Sequence, residues 1–477
     1  MSGDRTVGLD VEEMKAAVAS LATPDSVESP FGTLRFFDGV PLPETVSSVY
    51  DALDLMRGIE VFMNSVPGAS LVALRRGQVS VGVDSPRKIG YTDPRANSGA
   101  FFLTANTETT YGSTFLDLKA WGPTVIEAPP MSLCVVDDFW FRYVADMGIA
   151  GPDRGQGGKY LFLPPGYDGD EPDGYFTYRS PTFVNWAVLR ALGGVDDLMK
   201  TRIYPLEEAE NPEPNEWINI AAYAFNTVHA NDFGFFEEVN ELVQNEPIEA
   251  LDPERAGQLA AIGIAHGQPF DPDDRMRKIL HNAARIGAGM SRVVAYAPRD
   301  PGAPIYGSWS NAFVGGSYEF LRNGARLLDA RTQFHYLATV ITPAMAHAQP
   351  GAGSAYAFTA FDANSDIFDG SKTYRLHVEP DVPVKNFWAI DIYDTQTRSL
   401  IQVDSTRWPA LASNSGTLQQ NDDGSYDLYV GPAAPAGKES NWVESIPGKS
   451  WFTIFRLYGP LEPWFDQTWR LNDFEPL

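Results

Sequence analysis

The sequence is poor in cysteine. Its 477 residues include one, Cys134, so no disulfide can form within the chain and nothing indicates an oxidising compartment. Cys134 lies in the apolar stretch 133–136, and no basic residue stands close by in sequence to activate its thiol. We therefore expect a small buried core residue rather than a nucleophile.

Basic residues are also scarce. Lys and Arg number 36 against 62 Asp and Glu, which gives a formal net charge of -26. A nucleic-acid-binding protein needs a basic patch to displace counterions, and an anionic membrane attracts basic segments. We therefore expect neither nucleic acid nor a membrane as a partner. An ordinary soluble protein is the reading that the charge favours.

Long apolar runs are missing, and none approaches the roughly 18 residues of a membrane span. The first residues carry acids where a secretory leader has basic and then apolar residues. These features predict a cytoplasmic protein, exported only if a leader was removed.

Several catalytic signatures are absent. There is no Gly-x-Ser-x-Gly elbow, no P-loop and no dinucleotide fingerprint at a strand–helix junction. The six histidines are scattered without metal-ligand spacing. The turn from Asp362 imitates the start of a calcium loop but has Ile367 and Thr373 where Gly and a bidentate acid are needed. We expect no metal and no cofactor.

Hydrophobic periodicity divides the chain into strand-like and helix-like regions. Helical spacing predicts helices over 10–21 and 43–64, and short alternating segments then predict antiparallel strands over 78–83, 99–103, 113–118, 124–127, 133–136, 159–163 and 175–178. Helical spacing returns over 183–199, 233–243, 252–264, 272–294 and 317–339, with 202–216 as a linker. Strands resume over 372–378, 387–393, 399–403, 425–430 and 451–458.

Carboxylates among aromatic residues are the remaining candidates for chemistry. In the first strand-rich region the candidate acid and base are Glu108, Asp117 and Asp138, with Asn106 and Tyr111 as substrate-binding residues. In the second region the binding candidates are Trp388, Asp391 and Tyr393. Asp391 and Tyr393 alternate, so on a strand they share one face while Trp388 lies on the other. A buried, protonated carboxyl beside an ionised one suits general acid/base hydrolysis.

Several segments carry a family resemblance. They are NTETTYGSTFLDLKAWGPTVIEAPP from Asn106, and FWAIDIYDTQTRSL, NDDGSYDLYVGP and FRLYGPLEPWFDQTW in the C-terminal part. Together they resemble the two domains of unknown function numbered 1254 (N-terminal) and 1214 (C-terminal), which occur in tandem in many bacterial proteins. The family pattern near Asn-x-Asp-Thr-x-Tyr-Ser has Glu108 here in place of Asp and Gly112 in place of Ser.

The resemblance implies two jelly-roll-like antiparallel β-sandwiches joined by helices, and a homo-oligomer. The expected fold is thus mainly β with a large helical block. Its expected parts are an N-terminal helix and linker (1–34), an N-terminal sandwich (35–200), a helical connection (201–354) and a C-terminal sandwich (355–477).

Two functions stay open. One is a metal-independent hydrolase acting on a glycan or other polar polymer through a carboxylate pair. The other is a non-catalytic protein that binds a small molecule or glycan, or serves as an oligomeric scaffold. The two differ in one observable, because a catalytic pair has to converge in a pocket at roughly 5 to 10 Å, whereas structural acids are dispersed or tied to arginines.

Overall fold

The computed structural model describes residues 10–347 and 349–477. Helix makes up 28% of the chain and strand 27%, so the fold is mixed rather than mainly β. The β-rich, multi-sheet frame that the sequence predicts is confirmed. No helix in the described part of the chain combines the length and the apolar character needed to cross a membrane.

An N-terminal arm leads into one long central helix. The arm contains α1 (Val11–Leu21) and a small sheet of β1 (Ser26–Ser29), β2 (Gly32–Phe37) and β3 (Val40–Pro41), and α2 follows (Pro43–Ser80). The helix over 10–21 is confirmed, and Asp10 caps it by accepting from the backbone N–H groups of Glu12 and Glu13.

Helix α2 is longer than the sequence predicts. The prediction ended the helix at residue 64 and placed a strand over 78–83, which is wrong. Pro67 and Gly68 read as a helix end, but both lie inside α2, whose second half is almost fully buried. A side chain at Gly68 would collide with Leu242 and crowd Trp140, so this glycine lets neighbouring elements approach closely.

The N-terminal β-region contains two packed sheets. In chain order its elements are β4 (Lys88–Tyr91), β5 (Ala100–Phe101), β6 (Gly112–Asp117), α3 (Leu118–Trp121), β7 (Thr124–Ala128), β8 (Leu133–Asp138), β9 (Tyr143–Gly148), β10 (Gly158–Leu163), β11 (Phe176–Arg179), β12 (Val184–Leu189), α4 (Val195–Leu198), β13 (Arg202–Pro205), β14 (Glu216–Asn219) and β15 (Phe225–Asn226). A six-stranded sheet ordered β14-β4-β6-β12-β8-β9 packs on a four-stranded sheet ordered β11-β10-β7-β13, through residues such as Val136, Phe162 and Ile203.

One predicted helix is a central strand. Residues 183–199 were expected to be helical, but β12 pairs antiparallel with both β6 and β8. All six of its residues are buried. A strand that is buried on both faces has a continuous apolar run, which can be mistaken for the apolar spacing of a helix. The expected linker over 202–216 likewise contains β13, which pairs with β7.

A helical block surrounds α2. It contains α5 (Gly234–Asn245), α6 (Pro253–Ala261) and α7 (Asp274–Tyr296), then β16 (Pro304–Tyr306), β17 (Trp309–Asn311), β18 (Leu321–Arg322), β19 (Ala325–Arg326), α8 (Leu328–Leu337) and α9 (Pro343–Ala346). The helices predicted over 233–243, 252–264 and 272–294 are confirmed. The one predicted over 317–339 is wrong in its first half, because Asn323 and Gly324 adopt positive φ and close a β-hairpin there.

The C-terminal region is a second pair of packed sheets. Its elements are β20 (Ser354–Thr359), β21 (Tyr374–Val378), β22 (Val384–Asp394), β23 (Ala410–Ala412), β24 (Tyr426–Gly431), β25 (Trp442–Glu444), β26 (Trp451–Pro460), α10 (Glu462–Phe465) and β27 (Glu475–Pro476). The strand predicted over 399–403 is wrong, since only an isolated bridge joins Tyr393 and Leu400. One face of the sheet β16-β17-β20-β26-β22-β23 packs on the sheet β25-β24-β21-β27, with Trp388 and Ile390 in that core. Asp391 and Tyr393 lie on the opposite face, as the alternation predicts, and contact the loop before β6.

Candidate functional site

Two of the predicted carboxylates meet where the two β-regions touch. The loop before β6 brings the Thr107 hydroxyl to 2.8 Å from Glu108 Oε1 and 2.9 Å from Asp391 Oδ1. A hydroxyl has one proton and donates to one acceptor at a time, so the second contact needs a proton from a carboxyl. Burial and the nearby Asp391 carboxylate raise the pKa of Glu108, whose side chain is only 4% exposed. Glu108 is therefore the more easily protonated member of the pair, and Asp391, which pairs with Arg456, is the more easily ionised one.

A buried arginine favours the charged form of Asp391. Arg456 Nε donates to Asp391 Oδ2 at 2.8 Å, and Arg456 Nη2 donates to the Thr104 carbonyl at 2.9 Å and to the Tyr393 hydroxyl at 2.7 Å. Burial raises the pKa of Asp391, and the Arg456 guanidinium opposes that rise. The Tyr393 hydroxyl donates onward to the Ala105 carbonyl at 2.9 Å. This network joins β22 and β26 to the loop of residues 104–108.

Asn106 links the same loop to two tyrosines. Its amide nitrogen lies 2.6 Å from the Tyr458 hydroxyl and 3.3 Å from the Tyr111 hydroxyl, and its Oδ1 accepts from the Glu108 backbone N–H at 2.7 Å. The predicted residues Asn106, Glu108, Tyr111, Asp391 and Tyr393 thus belong to one connected network.

The other predicted residues are engaged elsewhere. Asp117 caps α3 through the Ala120 backbone N–H at 3.0 Å. Asp138 is fully buried and accepts from Arg142 Nε at 2.6 Å. Trp388 stacks on Phe455 in the C-terminal core, with ring centroids 5.5 Å apart. No contact joins Asp117 or Asp138 to Glu108 among the residues that the structure describes.

A partly enclosed cavity of about 270 Å³ lies beside this network. It stands between the N-terminal six-stranded sheet, the loop before β6 and the segment that leads into β20. Most of its wall is apolar and aromatic, formed by residues that include Phe102, Val135, Trp186, Val188, Ile220, Val340, Met345 and Tyr356. Asn106, Tyr111 and Arg456 line it, whereas Glu108 and Asp391 do not.

Three further polar groups in the wall were not predicted from the sequence. Gln78 Oε1 is buried and finds no hydrogen-bond donor among the residues that the structure describes, while the amide nitrogen of the same residue contacts Ser113 Oγ. The Arg190 guanidinium lies over the Tyr111 ring at 5.9 Å, without an ion pair in the described part of the chain. Burial raises the pKa of Asp146 to about 6, although the Thr342 hydroxyl lies 2.7 Å from its carboxylate. An acid inside an apolar strand, as at Asp146, was the one signal that could have identified this set.

A metal has no evident place here. Among residues 10–347 and 349–477, no group of three or more His, Cys, Asp or Glu side chains converges as metal ligands do. The acids named above bind hydroxyls, backbone N–H groups or arginines. What the arrangement offers chemically is an apolar cavity whose wall includes the paired Arg456, the acid Asp146 and, within the described part of the chain, the unpaired cation of Arg190 and the unused acceptor of Gln78.

Comparison with solved structures shows that the fold has been seen before. The VPA0106 protein from Vibrio parahaemolyticus is 17% identical, with a TM-score of 0.52 over 88% of this chain and 100% of that one. A putative uncharacterized protein from Burkholderia cenocepacia is 10% identical, with a TM-score of 0.37 over 91% of this chain and 96% of that one. No curated protein matches the sequence.

Family models match both halves of the chain. The model described as "Protein of unknown function (DUF1254)" matches residues 88–209, and the one described as "Protein of unknown function (DUF1214)" matches residues 353–462. The first match spans most of the N-terminal sheets, and the second contains the strands that carry Asp391 and Arg456. The chain therefore carries these two domains of unknown function in tandem, and the candidate site lies where they meet.

Proposed function

We propose that this chain binds a small, largely apolar molecule with a polar end in the cavity between the two domains. The main observation that supports this proposal is the cavity. Its volume is about 270 Å³, close to the lower limit of typical ligand pockets, which is roughly 300 Å³. An apolar wall with a few convergent polar groups is the usual composition of such pockets.

The polar groups in the wall indicate the chemistry of that end. Gln78 Oε1 is an acceptor without a donor, and a buried acceptor left in that state costs stability. Arg190 offers a guanidinium that pairs well with a carboxylate. A short aliphatic or aromatic hydroxy acid satisfies both groups, because its carboxylate pairs with Arg190 and its hydroxyl donates to Gln78 Oε1, while its apolar part fills the wall.

Calorimetric titration with octanoate, alongside octanol, tests the proposal. We expect one octanoate per chain, bound with a negative heat-capacity change. Ala96 lines the cavity, so Ala96→Trp should abolish binding of both probes, while Ala433→Trp at an exposed turn leaves it unchanged. Arg190→Met should weaken octanoate about tenfold and leave octanol bound, since the lost pairing contributes about 1.4 kcal/mol. Equal binding by wild type and Ala96→Trp contradicts the proposal.

The hydrolase hypothesis has weaker support. Glu108 and Asp391 do combine a carboxyl whose burial favours protonation with one that Arg456 favours in its ionised form. One oxygen of each lies 2.8 and 2.9 Å, respectively, from the Thr107 hydroxyl. However, the fully buried Thr107 occupies the space between the carboxyls, where a hydrolase on a glycan or polar polymer needs the scissile bond. Turnover of a chromogenic glycoside that disappears in Glu108→Gln would place this hypothesis first.

A scaffold role, as an oligomer of jelly-roll-like domains, has support from the N-terminal arm. Helix α1 buries none of its residues and exposes four apolar side chains on one face, namely Val11, Met14, Val18 and Leu21. Helix α7 also exposes an apolar stripe, which consists of Ile286, Met290 and Val293. Glu12 and Glu13 on α1 carry the charge opposite to that of the exposed Arg285, which lies beside the stripe on α7. We therefore assign the partner of α1 as α7 of a second copy.

Light scattering after gel filtration tests this contact. We expect an oligomer that Val18→Asp dissociates, because the change buries a charge in an apolar contact. Ser20→Asp, which adds the same charge elsewhere on α1, should not dissociate it. A monomeric wild-type protein contradicts the assignment.

A further inference from the structure

Four arginines gather around one asparagine of α2, away from the cavity. Asn64 accepts from Arg331 Nη2 through its side-chain oxygen and from Arg255 Nη2 through its backbone carbonyl, the latter at 3.1 Å. Arg142 and Arg326 complete the group, and both are close enough to Arg255 for their charges to affect it. We call Arg142, Arg255, Arg326 and Arg331 the arginine cluster. None of its members lines the cavity described above.

The cluster contains buried donors that lack acceptors. Arg331 is 8% exposed, yet its Nε–H has no acceptor in the described part of the chain. Trp140, over whose ring Arg255 lies at 5.2 Å, is buried with its indole N–H equally unused. Arg142 differs from these two, because its Nε and Nη2 both lie 2.6 Å from Asp138 Oδ2. These unused groups are all donors, and buried donors of this kind normally have a partner.

Acidic groups in the neighbourhood do not neutralise the cluster. Asp138 pairs with Arg142, Asp252 caps α6 through the Arg255 backbone N–H, and Glu60 accepts from the Asn64 amide at an exposed position. Among residues 10–347 and 349–477, no carboxylate oxygen lies within 4 Å of the Arg255, Arg326 or Arg331 guanidinium. Burial and the charges of Arg255 and Arg326 lower the pKa of Arg331 to about 9, which shows that its positive charge is poorly compensated.

We propose that the arginine cluster is a binding site for a tetrahedral oxyanion, a phosphate or sulfate group that is free or part of a small ester. Guanidinium groups bind such oxygens through paired, charge-assisted hydrogen bonds, and Arg suits this role better than Lys. Three guanidiniums that have no ion pair within residues 10–347 and 349–477 are an unusual grouping in a chain of net charge -26, where acids are abundant. Arg326 is the exposed member, Arg142 and Arg255 are half-buried, and Arg331 is buried.

Calorimetric titration with inorganic phosphate at fixed ionic strength tests the site, and sulfate serves as the second probe. We expect saturable binding of one anion per chain, weakened at least tenfold in Arg255→Gln. Arg326→Gln, at an exposed position, should weaken it several-fold. Arg322→Gln is the matched control, because Arg322 lies near in sequence but pairs with Asp300.

The outcomes separate cleanly. Binding that both cluster variants weaken and the control preserves supports the site. Two results overturn it: no saturable heat at millimolar phosphate, or binding that Arg326→Gln leaves unchanged. Phosphate binding with no sulfate binding narrows the ligand class to phosphate.

Discussion

The contact between the two domains should depend on the pair of Asp391 and Arg456. Asp391 is fully buried and Arg456 is 7% exposed, and Asp391→Asn would leave that guanidinium without its counter-charge. Breaking a buried pair by neutralising one partner costs about 3 to 5 kcal/mol. Unfolding entropy of about 2.1 cal/mol/K per residue gives this chain a loss of about 1 °C in melting temperature per kcal/mol. We therefore expect Asp391→Asn to melt about 3 to 5 °C below wild type.

Differential scanning calorimetry of a double-mutant cycle measures the coupling. Arg456→Met alone strands Asp391 and should lower the melting temperature by a similar amount. The double variant should lose clearly less than the two single losses combined, because it leaves no unpaired charge. Asp329→Asn is the control, since the exposed pair of Arg299 and Asp329 contributes about 0 to 1 kcal/mol. A change below about 1 °C in Asp391→Asn, or strictly additive losses, would refute the reasoning.

Three more predictions concern single residues. Burial raises the pKa of Asp146 in the folded protein to about 6, above its value in the unfolded chain. Its ionisation therefore costs stability as pH rises from about 4 through 6. Asp146→Asn should raise the melting temperature at pH 7.5 by about 2 °C and have little effect at pH 4. Glu108→Gln, whose amide can donate to Thr107 as the protonated acid does, should melt within about 1 °C of wild type at pH 7 and bind octanoate normally; a fall of several degrees would mean that Glu108 is ionised. Burial raises the pKa of the Cys134 thiol to about 11, so iodoacetamide should label it only on unfolding, and rapid labelling of the native protein would contradict its burial.

Part of the fold could be predicted from the sequence because surface helices have a recognisable apolar periodicity. The helices α5, α6 and α7 each bury one face, so their apolar spacing is helical. The second half of α2 and the strand β12 are buried all round, and there the pattern no longer distinguishes helix from strand. The hairpin near Asn323 carried a usable Asn-Gly signal that the apolar spacing around it obscured.

Only part of the candidate site could be predicted from the sequence. Alternation predicted that Asp391 and Tyr393 share one face of a strand, and Glu108 was a candidate acid. Their meeting could not be predicted, because the contact between Thr107 and Asp391 spans 284 residues of sequence. Arg456, which satisfies both a backbone carbonyl and an acid in this network, carries no signal in the sequence that separates it from other arginines. Nearness in sequence also misleads here, because Asp394 pairs with Lys449 rather than with Arg398, which lies over the Tyr336 ring. The cavity could not be predicted, since its wall comes from segments distant in sequence.

A crystal of the protein soaked with 8-bromooctanoate tests the central claim most directly. The account predicts one bromine anomalous peak per chain, inside the cavity among Phe102, Val188 and Val340, with the carboxylate directed to Arg190. A bromine peak elsewhere on the chain, or an empty cavity in crystals of protein that binds octanoate in solution, would contradict it.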